Sequence, residues 1–210
     1  MSLPEFMLLA ASSLFIIMDP FSLIPVFLSI TPQDSPRQRI RMAGLACVVA
    51  AGVLILFTLI GKKIFTLLGI TLPAFKIAGS IVLLMVALDM LRAQRSRVKQ
   101  TTEETDAAAE KDDIAVTPLA VPMLAGPGAI STVILLHTQA KGWSQEIGLL
   151  ICICGVCAAS YIVLRLASHG AAWVSPIAMK IVARIMGLLL AAVAIQFILD
   201  AIIELKPKLF

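Results

Sequence analysis

Charge is scarce in this sequence: Asp, Glu, Lys and Arg make up 14% of its 210 residues, against about a quarter in soluble domains. That excludes an ordinary soluble globular protein. Aromatic residues are few as well, at 6%, and the four cysteines come with no room for a soluble outer domain, so a disulfide framework is excluded. Also missing are a His-Glu-x-x-His metal motif, a nucleophile with a plausible base, and a phosphate-binding loop, so nothing points to an enzyme or calls for a cofactor. No Lys or Arg precedes the first apolar run, and no small-x-small site follows a short apolar core. That run therefore reads as a retained helix, not a signal peptide.

Apolar residues are abundant, 60% of the chain, and the mean hydropathy is +0.99. A membrane span needs about 20 mostly apolar residues. The sequence offers six such stretches: Leu3 to Ile30, Met42 to Gly61, Leu72 to Leu91, Ile114 to Thr138, Ile147 to Leu164 and Ile181 to Ile203. The fold class expected is an all-α membrane protein in a single domain. The net charge of +4 reflects topology and not a nucleic-acid partner. Eleven Lys and Arg fall on the side holding Arg37, Arg92 and Arg165, and six on the side holding Lys62, Lys141 and Lys206. By the positive-inside rule both termini face outward.

Two of the spans are interrupted. Met18-Asp19-Pro20-Phe21-Ser22-Leu23-Ile24-Pro25 breaks the first, and Ala125-Gly126-Pro127-Gly128-Ala129-Ile130 breaks the fourth. Proline removes a backbone donor and clashes one turn back. Asp followed by Pro is also a helix start, because the carboxylate can cap free amides and Pro tolerates the first helical position. A new half-helix is expected to begin at Asp19, and another at Gly126.

The breaks repeat. At an offset of 107 residues Pro20 falls on Pro127, Val26 on Val133, Leu28 on Leu135, Thr31 on Thr138 and Cys47 on Cys154. At 108 residues Lys76-Ile77-Ala78-Gly79 falls on Arg184-Ile185-Met186-Gly187. The organisation expected is repeat one over about 1–91, a solvated cytoplasmic linker over about 92–113, and repeat two over about 114–204. Three spans per unit is odd, so the second copy must be inverted, as in secondary transporters.

Broken backbone at membrane depth requires protein or water to satisfy it, which implies a cavity. Half-helix starts present amides and a partial positive charge suited to an anionic group. Gly128 and Ala129 supply such amides, whereas Pro127 does not. Asp19 is the one acid deep within a span, where it costs roughly 2.5–3.5 kcal/mol; its alternatives are a partner such as a proton, a cation or an ammonium group, and a cap for its own half-helix. Amides for a carboxylate and an acid for an ammonium describe a site for a zwitterion. The residues expected around such a substrate are Asp19, Pro20, Ser22, Gly126, Pro127, Gly128, Ala129, Ser131 and Thr132, the hydroxyls competing with bonds to their own backbone.

Other features read as structural. Ala43, Cys47 and Ala51, beside Gly44 and Gly52, form a small-residue row for helix packing, and Cys154 repeats Cys47 there. Lys76 is placed to snorkel to the outer interface. Trp173, Pro176 and Lys180 mark a short interfacial segment, and His137 is an interfacial histidine.

Asp19-Pro20 with Pro25 and Phe27, the Pro122-x-x-Ala125-Gly126-Pro127-Gly128-x-Ile130 run, the two Lys76 and Arg184 starts and Gln196-Phe197-Ile198 together resemble the MarC family of bacterial and archaeal inner-membrane proteins over nearly the whole chain. The family is grouped with the LysE exporter superfamily. The resemblance implies six spans in two inverted halves in the inner membrane, and transport of small solutes, with small neutral amino acids such as alanine or glycine as the substrate class. A proton or sodium ion is the coupling ion expected for such transport, but the resemblance itself does not carry coupling through Asp19. The competing readings are an exporter of divalent metals or other small solutes, and a thiol-redox carrier, which would need cysteines where Asp19 and Gly126 stand.

Overall fold

The computed structural model describes residues 2–31, 34–92, 115–170 and 176–209. They form α1 (Leu3–Met18), α2 (Pro20–Ile30), α3 (Pro36–Leu68), α4 (Leu72–Leu91), a π-helical segment (Ala115–Leu124), α5 (Pro127–Gln139), α6 (Trp143–Gly170) and α7 (Pro176–Leu209). Among the described residues there is no strand. Five stretches are long and apolar enough to cross a membrane, and the bent pair at Gly126 makes a sixth. This is an all-α, multi-pass membrane protein. Nearly all of the expected linker, residues 93–113, lies outside the described residues, as does Trp173.

The helix boundaries follow local chemistry. Ser35 and Gln38 form a capping box at the start of α3: the Gln38 amide donates to the Ser35 hydroxyl, and the Ser35 amide donates to the Gln38 side chain at 2.9 Å. Each device satisfies amides that the first helical turn leaves free. Gly69 ends α3 in the left-handed region with φ 64°, and Thr71 caps α4 by accepting from the Ala74 amide at 3.3 Å. Both α3 and α7 outrun the apolar stretches read from sequence, because beyond the hydrocarbon a helix needs no apolar residues. Pro176 and Lys180 accordingly belong to the first turns of α7 and not to a separate interfacial segment.

Packing relations fix the directions of the spans. The α4 residue Lys76 forms an ion pair with Glu204 near the end of α7. At the other end of this pair of helices, a Cβ on Gly187 would lie 3.0 Å from the Ala87 carbonyl. Helices α4 and α7 therefore run antiparallel. Lys76 does not snorkel free but is held by a partner across the interface.

Helices α3 and α6 meet where Gly44 faces Tyr161, with 3.5 Å to a built Cβ, and α1 meets α6 where Gly148 faces Met7 at 3.2 Å. The core is apolar and runs through Phe6, Leu14, Phe27, Leu54, Leu124 and Leu149. Of the expected small-residue row, Ala43 and Cys47 are buried in it, but Gly52 faces open space. Cys154 also departs from expectation: it lies on the exposed face of α6, while Cys152 and Cys157 are buried. The row was read at four-residue spacing, and which side of a helix meets a neighbour is decided by tertiary packing.

Candidate functional site

At the first break, α1 ends and α2 begins on the single residue Asp19. Its amide closes α1 by donating to the Phe15 carbonyl at 3.1 Å. Its backbone then takes φ 35° and ψ 68°, and among the described residues it alone is a non-glycine at positive φ. Asp tolerates this region better than most residues. One carboxylate oxygen accepts from the Ser22 amide at 3.3 Å, and the other accepts a short bond from the Ser22 hydroxyl. Pro20 occupies the first helical position, where no donor is missed. Asp19 is thus a true cap, and its exposed carboxylate keeps acceptor capacity for a further partner.

The far end of α2 is held from α3. Arg39, only 7% exposed, donates from Nε at 3.0 Å and Nη2 at 2.7 Å to the Thr31 carbonyl. The Thr31 hydroxyl turns back to the Phe27 carbonyl at 2.7 Å. A guanidinium at a helix C-terminus meets both the free carbonyl and the negative end of the dipole. Nothing in the local sequence around Arg39 shows that it turns inward.

The second break is built differently. The preceding segment is π-helical, and its last bond runs five residues, from the Ala125 amide to the Ala120 carbonyl at 2.8 Å. Pro118 and Pro122 give no amide, and the wider turn relieves the clash of their rings with preceding carbonyls. The chain then bends by 52° into α5. Gly126 caps α5 without any side-chain bond, and its carbonyl accepts from Ile130 at 2.9 Å. A Cβ on Gly126 would stand 2.5 Å from the Pro122 carbonyl oxygen, so only glycine fits.

The two breaks adjoin one another. A Cβ on Gly128 would meet the Phe197 ring of α7 at 3.1 Å and Ile17, two residues before Asp19, at 3.7 Å. Pro127 is pressed against Gly79 of α4, whose built Cβ would be 2.8 Å from the proline ring. Pro20, Gly126, Pro127, Gly128 and Ala129 are all buried, whereas Asp19 and Ser22 are exposed. The Ser131 and Thr132 hydroxyls both donate to the Gly128 carbonyl, each at 2.9 Å. They use their protons on their own helix and keep only acceptor capacity. His137, late in α5, is half-buried with its Nδ1 enclosed and unpaired. Outside these contacts, an open cavity of about 410 Å³ lies between α2 and α6, lined by Phe21, Ile24, Leu28, Val163, Leu166 and Ala167. Its lining carries no polar side chain.

A family model described as "MarC family integral membrane protein" matches residues 4–205. The chain belongs to the MarC family. It is 36% identical over 198 residues to the UPF0056 membrane protein MJ1677 of Methanocaldococcus jannaschii, covering 94% of this chain and 96% of that one. It is 32% identical to the UPF0056 membrane protein YhcE of Escherichia coli, covering 93% and 91%. The UPF0056 membrane protein YvbG of Bacillus subtilis is 32% identical, covering 89% of each. No solved structure matches. The MarC chain is an integral, multi-pass membrane protein, and these relatives are named as membrane proteins.

Proposed function

We propose that this MarC chain is a non-enzymatic secondary transporter of small solutes, foremost small neutral amino acids, working by alternating access around the point where the two breaks adjoin. One observation carries the reading: Ile17, beside the first half-helix start, and Gly128, inside the second, lie against each other. The second half-helix start directs free amides and partial positive charge toward that point, while the first presents the Asp19 carboxylate that caps it. At Gly126 no side chain takes up those amides, which leaves Gly128 and Ala129 for a substrate carboxylate. Asp19, with Ser22 beside it, is the acceptor for an ammonium group.

The antiparallel α4 and α7 support an inverted repeat, the architecture in which two such breaks come together at the midplane. Phe197 and Ile17 cover Gly128, so the conformation is a closed one, and opening requires α7 to move against α5. Both termini lie on the outer side by the distribution of Lys and Arg. A proton or sodium ion is the coupling ion.

The test is flux in proteoliposomes, comparing alanine, glycine and a divalent metal under imposed proton and sodium gradients. Amino-acid flux is expected, and Gly128→Val should abolish it by wedging a branched side chain between the amides and the Phe197 and Ile17 side chains that cover them. Unchanged flux in Gly128→Val would remove the carboxylate site. Asp19→Asn should end gradient-driven accumulation; if accumulation persists, Asp19 is a cap alone. Flux of the metal without amino-acid flux would replace the substrate class.

A further inference from the structure

The outward face of α7 carries a polar pair where hydrocarbon is expected. Ala194 and Ala201 are fully buried and mark the side of α7 that packs on the bundle. Successive helical residues turn by about 100°, so Gln196 points about 200° away from Ala194, to the opposite side. It is exposed, and its Nε2 donates to Asp200 Oδ1 at 2.8 Å. The apolar part of this helix runs from Arg184 to Leu205. Gln196 therefore stands about 18 Å from one end and about 14 Å from the other, near mid-depth.

The residues around it keep a heptad pattern. Ile185, Leu189, Ala192, Gln196, Leu199 and Ile203 follow one another at alternating spacings of four and three residues. All six are exposed, the four large ones between 48% and 65%. Such a seam, with one polar residue at its centre, is how helices specify a partner helix and its register. Small and polar side chains serve this purpose in membranes, where apolar burial alone gives no drive for association.

We propose that this face is the interface of a homodimer, in which α7 of one copy packs parallel to α7 of a second copy across a two-fold axis passing near Gln196. The occupant follows from the chemistry of the carboxamide. After bonding Asp200, Gln196 still has one N–H and its oxygen to offer. A lipid tail satisfies neither, and a headgroup does not reach mid-depth. The same carboxamide on a second copy satisfies both, because a two-fold axis sets each donor against the other's acceptor. Ala192, one turn away, lets the helices approach.

The experiment uses the full chain in liposomes. Leu199→Cys should give a disulfide-linked dimer on mild oxidation, well above the parent chain with its four native cysteines and above Leu56→Cys, which is equally exposed on α3. In a fluorescence-transfer dilution series, Gln196→Leu should weaken association about tenfold. No excess cross-linking at position 199, or a chain that stays monomeric at every lipid dilution, overturns the interface. Unchanged association in Gln196→Leu overturns the central role of the polar pair.

Discussion

The two broken spans start from the same problem, backbone amides released inside a membrane, and solve it in opposite ways. At Asp19 the chain supplies a carboxylate, stays exposed, and lets α1 and α2 run on as one 28-residue span. At Gly126 it supplies no side chain, is buried, and bends by 52°. A break capped by its own side chain can stand at the surface of the bundle. An uncapped break must be enclosed, which is why glycines at 79, 126 and 128 let α4, the π-helical segment and α7 close around it.

The largest effect is expected at Gly126. Gly126→Ala puts a Cβ against a backbone oxygen that has no rotamer to yield, and about 3 kcal/mol should be lost, the upper end of overpacking costs. Thermal unfolding in detergent measures it, and a change under 1 kcal/mol would mean that the enclosure is loose.

Asp19 should respond less and more selectively. Asp19→Ala loses the cap and leaves a Cβ at positive φ, at a cost of about 1–2 kcal/mol. Asp19→Gly also loses the cap but relieves the backbone, so stability should shift by only a few tenths of a kcal/mol. A loss of flux in Asp19→Gly at unchanged Tm therefore reports on the carboxylate and not on the fold. The smallest effect is expected for Ser22→Ala, about 0.5 kcal/mol, since the Ser22 amide still reaches Asp19; a cost as large as that of Asp19→Ala would place the capping energy in the hydroxyl.

What could be read from sequence was what local chemistry decides. Pro20 after Asp19, Pro127 after Gly126 and the stop at Thr31 each act within a turn of themselves, so both breaks and their starts were legible. The residues matched at the 107-residue offset share their burial near the breaks, where Pro20 and Pro127 are both buried, as are Val26 and Val133. The match fails further out: Leu28 and Thr31 are buried while Leu135 and Thr138 are exposed, and Cys47 is buried while Cys154 is not. Those outcomes depend on which neighbour each helix meets. For the same reason the seating of Pro127 on Gly79, the Phe197 ring over Gly128 and the inward turn of Arg39 lay beyond any single stretch of sequence.

The grip of Arg39 on the Thr31 carbonyl has a mechanical consequence. With one end of α2 pinned and the other joined to α1 through a single residue, α2 is a lever about 16 Å long whose fulcrum lies at the far end from the Asp19 break. A rotation of about 10° about that fulcrum carries the Asp19 carboxylate sideways by about 3 Å, the length of one hydrogen bond.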